Sequence, residues 1–132
     1  EYYGEPRGDV VRFARLAIDA GADLVFGHGP HVVRAMELYK DRLIAYSLGN
    51  FATYYGISVS DLKGVAPILM AELDYQGRFI EGRIHSTLQV RPAGPQPDPA
   101  QKAMRLMRDL SQSDVKDQRL VFSSDGSLQI SE

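Results

Sequence analysis

A layered α/β or α+β fold, with helices packed outside a sheet, is what three features of this 132-residue chain predict. A helical apolar period over Val10 to Ile18 leads into a short apolar run at Leu24 to Phe26. Paired strand-like segments then recur around turn residues, and a second helical stretch comes after a proline-rich connector. The resulting order of helix, strand, hairpin, hairpin, helix, hairpin looks like one half of a sandwich.

Asp9 suits the N-cap of the first helix, with Val10, Phe13, Ala14, Ala17 and Ile18 on its apolar side and Gly21 placed to end it. Arg12, Arg15 and Asp19 fall on the wet face. Leu24, Val25 and Phe26 suit a buried strand, which stops at Gly27-His28-Gly29-Pro30-His31. Pro30 lacks an N–H and drives Gly29 out of the α region, so the segment is an extended loop and not a helix. Val32 to Tyr39 and Arg42 to Ser47 read as strands joined at Lys40-Asp41, and Ser47-Leu48-Gly49-Asn50-Phe51 as a sharp exit turn.

Pro67 to Asp74 and Arg78 to Val90 flank Tyr75-Gln76-Gly77 as a second hairpin. Ile80, Ile84 and Leu88 then share one face of its return strand, and Glu81, Arg83, His85 and Thr87 the other. Arg91 to Pro97 is a stiff connector without regular structure. Asp98-Pro99-Ala100-Gln101 has the form of a helix start, continued through Ala103, Met104, Met107 and Leu110. Asp125-Gly126, between Leu120-Val121-Phe122 and Leu128-Gln129-Ile130, signals a two-residue hairpin. There is no internal repeat, so residues 1–132 read as a single partial domain, with a sheet and histidine-loop core over 1–90 and a connector, helix and terminal hairpin over 91–132.

A hydrophobic content of 44% is ordinary for a globular domain, and the 15 basic and 17 acidic residues are interspersed. That excludes a basic stripe for nucleic acid or an anionic membrane. The longest apolar stretches are too short to span a bilayer. With no cysteine, neither disulfides nor thiolate ligands are available. The chain opens on Glu1-Tyr2-Tyr3 without an initiator Met and reads as a piece of something longer.

The chemistry lies in His28 and His31. Ligands in open α/β sheets gather beyond the carboxyl ends of strands, where this loop sits, and both imidazoles are expected to point into one crevice. Neutral imidazole is the commonest protein ligand for borderline transition metals, but a catalytic zinc takes three protein ligands and a structural one four. His85 is the one further histidine and faces a polar strand surface, so carboxylates or residues outside this sequence would complete a site. On spacing alone, a pair of loop histidines hydrogen-bonded to backbone fits as well. For Ser47 to Phe51 the ordinary reading is turn chemistry, for Met70, Met104 and Met107 core filling, and for Arg105 and Arg108 a solvated helix face.

Asp19-Ala20-Gly21-Ala22-Asp23-Leu24-Val25, then Gly27-His28-Gly29-Pro30-His31, then Tyr39-Lys40-Asp41-Arg42-Leu43-Ile44 and Tyr46-Ser47-Leu48-Gly49-Asn50-Phe51, resemble the bacterial capsule synthesis protein CapA family, tied to poly-γ-glutamate production. The likeness is strong over Asp19 to Phe51, weaker before it, and no more than hairpin pattern from Val65 onward. It implies the C-terminal half of a four-layer α/β/β/α sandwich similar to the calcineurin-like metallophosphoesterases. Gly27-His28 and His31 resemble that superfamily's closing Gly-His-x-His loop with one extra residue. Glu1-Tyr2 resembles the residues just after an upstream histidine segment of the family, which would put Glu1 near the chemistry.

The resemblance implies metal-assisted hydrolysis of a phosphoesterase-like kind, with His28 and His31 as metal ligands or substrate-orienting donors. Ser47 and Asn50 would fix the imidazoles from behind, and the divalent ions would be of Mn, Zn or Fe type. The implied substrate is an anionic polymer or a small phosphorylated or amide compound, and the implied location the bacterial cell envelope or beyond the cytoplasm. That reading places the other ligands on a missing N-terminal segment of the same domain. Two alternatives stay open: a non-catalytic accessory component that binds polymer during capsule assembly, and an inert proteolytic remnant or a chain whose other half-sheet a partner supplies.

Overall fold

The computed structural model describes residues 8–116 and 119–131; the expectations placed on Glu1 and Tyr2 lie outside them. Helix α1 (Val10–Asp19) begins as the sequence predicts, the Asp9 carboxylate accepting the Arg12 N–H at 2.9 Å. Gly21, at φ 108°, turns the chain into β1 (Leu24–Phe26). β1 lies parallel to β3 (Arg42–Ala45), which pairs antiparallel with β2 (Met36–Tyr39), giving the order β1-β3-β2. Lys40 and Asp41 both adopt positive φ, 49° and 59°, as a tight hairpin whose twist matches its strands requires.

The expected strand from Val32 is shorter, because Val33 forms only an isolated bridge with Leu48. Among the described residues β1 is hydrogen-bonded to β3 alone, so it is an edge, and Phe26 is 61% exposed where a buried strand was expected.

The second sheet contains β4 (Val65–Leu73), β5 (Phe79–Val90), β6 (Gly94–Pro97), β7 (Leu120–Phe122) and β8 (Ser127–Ile130). Its order is β4-β5-β8-β7, and β6 lies along the far end of β5. Two expectations are corrected here. Leu73 pairs with Phe79 while Glu72 pairs with Glu81, so Ile80 is an extra residue in a β-bulge. The bulge exchanges faces: Phe79 enters the core with Ile84, and Ile80 turns outward. The supposed irregular connector contains β6, whose Pro95 and Pro97 lack N–H donors and are tolerated because the strand is an edge.

Helix α2 (Lys102–Asp114) starts later than the expected turn at Pro99. Asp98 still caps, accepting the N–H groups of Ala100 at 3.1 Å and Lys102 at 2.8 Å, but Gln101 at φ 54° separates this capping turn from the helix. The last hairpin closes through Ser124-Asp125-Gly126, one residue more than expected, with Ser123 N–H donating to Ser127 O at 2.9 Å.

The two sheets face each other across one core. Val33, Met36, Leu38, Leu43 and Ala45 meet Phe79, Ile84, Leu120 and Leu128, and α2 adds Met104 and Met107. On the opposite face of the first sheet, Ala14 and Ile18 of α1 cover Ile44. The class is α+β, compatible with half of a sandwich, and residues 91–131 share the core of the residues before them. Among the described residues no helix is long and apolar enough to cross a membrane.

Candidate functional site

The histidine loop leaves the carboxyl end of β1 but stays tied to β3. Gly27 N–H donates to Ala45 O at 2.8 Å, and Leu48 N–H donates to Gly27 O at 3.0 Å, which extends the parallel ladder by one residue. A Cβ on Gly27 would stand 2.5 Å from the Tyr46 carbonyl oxygen, so only glycine lets the strands approach this closely. Beyond it Gly29 takes φ 138° and His31 φ 63°, a conformation unusual for a non-glycine residue. The non-helical loop expected around Pro30 is present, and the left-handed turn at His31 was not foreseen.

Both imidazoles reach the same turn by different acceptors. His28 Nδ1 lies 3.2 Å from the carbonyl oxygen of Gly49, and His31 Nδ1 lies 2.9 Å from Oδ1 of Asn50. A carbonyl oxygen can only accept, so His28 carries a proton on Nδ1, and in the neutral ring the lone pair is on Nε2. Asn50 is oriented independently, for its Nδ2 is within 3.2 Å of three carbonyl oxygens, those of His31, Ser58 and Lys63. That leaves Oδ1 as the atom facing His31, which fixes the same tautomer there. Asn50 is itself buried. Turn chemistry accounts for Gly49, at φ 70°, whereas Asn50 serves the histidine.

Ser47 acts one step further back. Its Oγ donates to Val32 O at 2.8 Å and accepts the Gly49 N–H at 3.2 Å, holding the segment after the loop against the turn beneath it. It touches neither ring among the described contacts. His85, on β5, faces solvent with Nε2 3.3 Å from Met70 Sδ, away from the loop.

His28 and Pro30 line a broad cleft of about 1310 Å³, which also takes in Arg15, Glu37 and Tyr46; His31 is not among its lining residues. The two rings are thus anchored to one turn without lining one cleft. Glu37 went unread in the sequence, although its alternation with apolar Met36 and Leu38 places it on the α1 side of the sheet. It is 5% exposed, its Oε1 accepts from Arg15 Nε at 3.0 Å and Nη2 at 2.5 Å, and its Oε2 accepts from the Tyr46 hydroxyl. Arg15, expected on a wet face, therefore pins α1 to the sheet. The bond to Glu37 raises its pKa further, and burial, reinforced by Glu37, pushes the Tyr46 hydroxyl well above its ordinary value.

Imidazoles whose Nδ1–H groups are held by backbone and amide oxygens, with the lone pair on Nε2, are prepared as ligands of a borderline divalent metal. They supply two donors, and among the described residues no group of three or more His, Cys, Asp or Glu is assembled.

Residues 1–55 match the family model of the bacterial capsule synthesis protein PGA_cap. A capsule biosynthesis protein CapA of Bacillus anthracis is 45% identical over 51 residues, 39% of this chain and 12% of that protein. The PGA biosynthesis protein CapA of Bacillus subtilis is 47% identical over 51 residues, 39% of this chain and 13% of that protein. A probable polyglutamine synthesis accessory protein of Mycobacterium tuberculosis is 42% identical over 53 residues, covering 40% and 14%. The family match therefore takes in the first helix, the histidine loop and the turn at Asn50, and the stretches shared with these relatives span about an eighth of their length.

Proposed function

We propose, taking the capsule-synthesis sequence carried by residues 1–55 as premise, that His28 and His31 are two ligands of a divalent metal centre of Mn, Zn or Fe type in a hydrolase active on phosphoesters. The observation that carries the reading is the pair of Nδ1 hydrogen bonds to Gly49 O and Asn50 Oδ1, which turn Nε2 of each ring into the coordinating atom. The remaining ligands come from other residues of the longer polypeptide. Such an ion, when bound, lowers the pKa of a water and polarises the attacked group. The chain's own contribution is to hold the rings: Gly27 brings the loop against β3, Gly49 and Asn50 keep the Nδ1 protons in place, and Ser47 braces the turn beneath. The substrate in this reading is an anionic polymer or a small phosphorylated or amide compound admitted along the cleft beside His28.

The test compares the full-length protein with a double His28→Ala, His31→Ala variant for bound metal after purification and for phosphodiester hydrolysis. Loss of metal by about 10-fold or more together with activity is expected, and unchanged values for both would overturn the proposal.

A second reading, a polymer-binding accessory protein without turnover, draws on the word "accessory" in the mycobacterial relative's name and on the absence of a third ligand near the loop among the described residues. It predicts that the double variant leaves metal content unchanged while weakening retention of an anionic polymer such as polyglutamate.

A further inference from the structure

Asn50 does more than face one imidazole. The chain leaves it at Phe51, runs out through Tyr54 and Tyr55, which are 74% and 87% exposed, and comes back to its side chain at Ser58 and Lys63. The amide thus closes the loop it begins: Nδ2 ties its returning end, while Oδ1 and a third carbonyl contact hold His31. Elsewhere the loop is fastened by Ala52 N–H donating to Gln89 Oε1 at 2.9 Å and by Arg91 donating to Ile57 O. Between these fastenings its aromatic tip meets solvent. An amide has two N–H protons, and here three carbonyls compete for them, so a change at His31 alters how firmly Ser58 and Lys63 are held.

We infer that Asn50 is a positioning residue that couples the ring of His31 to the aromatic loop 51–63, so that what binds at that ring changes how firmly the loop is held. The ligand part of this inference rests on the histidine loop being a binding site, as proposed above. The coupling does not, since it is present in the hydrogen bonds of the protein alone. Exposed loops belong to the less stable parts of a fold, and a single buried amide carrying both connections is a compact means of linking such a loop to the histidine bend.

Chymotrypsin reads the loop directly, because it cuts after exposed Phe and Tyr, and nitrogen chemical shifts of the imidazoles read the tautomer. Asn50→Asp keeps an oxygen for His31 Nδ1 but removes the donors to Ser58 O and Lys63 O. It is expected to leave the tautomer unchanged while accelerating cleavage after Tyr54 and Tyr55 about tenfold relative to cleavage elsewhere. Asn50→Ala removes both connections and is expected to speed cleavage and release the tautomer together, with circular dichroism reporting whether the fold survives. His31→Ala serves as a milder perturbation and is expected to alter loop cleavage without touching the loop's own bonds.

Equal cleavage in wild type, Asn50→Asp and His31→Ala would overturn the coupling. Zn²⁺, added as the probe, is expected to slow cleavage at Tyr54 and Tyr55 in wild type and not in Asn50→Asp. Zn²⁺ binding by calorimetry without protection would overturn the transmission of binding from His31 to the loop while sparing the metal proposal. In the full-length protein, absence of Zn²⁺ binding with cleavage still governed by Asn50 and His31 would overturn the metal proposal and sustain the coupling.

Discussion

Glu37 is a carboxylate almost fully removed from water, and both its oxygens are occupied, one by Arg15 and the other by the Tyr46 hydroxyl. Replacing it with Ala leaves a guanidinium and a phenol that have lost their acceptor. Because Arg15 is half-exposed and regains water, the cost is expected near 1–3 kcal/mol, less than for a fully enclosed pair, as urea denaturation would measure. Tyr46 carries a pH signature. Folding favours its neutral form and raises its pKa above the ordinary 10.0, chiefly through burial and then through Glu37. Its contribution is therefore whole below pH 10.0 and declines as pH rises beyond it, where the unfolded chain gives up a proton that the folded chain keeps. In an alkaline titration one tyrosine should ionise only as the protein unfolds, and Tyr46→Phe should remove that lagging step from the phenolate absorbance.

At the scale of elements, the junction between β1 and the histidine loop depends on a residue with no side chain. Gly27→Ala would drive a methyl against the Tyr46 carbonyl, and because that obstacle is backbone it cannot swing aside. The expected outcome is a loss of about 1–3 kcal/mol with a weakening of metal retention, measured by thermal unfolding and by metal analysis of the full-length protein. At the β2–β3 hairpin Asp41 holds a positive φ that Gly adopts without cost. Asp41→Gly should therefore be neutral or stabilising by up to about 1 kcal/mol despite the loss of its exposed contact with Arg119.

These elements also mark how far local signals reach. Helix α1, the histidine loop and the hairpins β2–β3, β4–β5 and β7–β8 could be read because caps, turn residues and apolar periods are local. The outward turn of Ile80 could not, since a bulge is chosen by how two strands fit. The strand at Gly94–Pro97 was hidden by prolines that only an edge accommodates. In the candidate site, His28 and His31 were singled out from their setting and Asn50 from the family likeness; the Glu37 cluster was not, because its partners lie 22 and 9 residues away in sequence.

Across the whole molecule, α2 is the piece that joins the two sheets. Ser111 Oγ accepts the N–H of Met36 in β2 at 2.8 Å, Ser86 Oγ in β5 accepts the N–H of Met104 at 3.0 Å, and Met107 lies fully buried between them. Met107→Ala is expected to cost about 2–5 kcal/mol, with a single unfolding transition, because the cavity would open where all three elements meet. Two separate transitions in calorimetry would contradict a shared core. The outer rim of β1, unpaired among the described residues, has a consequence for handling the isolated chain. Leu24, Val25 and Phe26 contain no lysine or proline to discourage a neighbour, so at high concentration copies should stick strand to strand and scatter light. Phe26→Lys should keep such solutions clear.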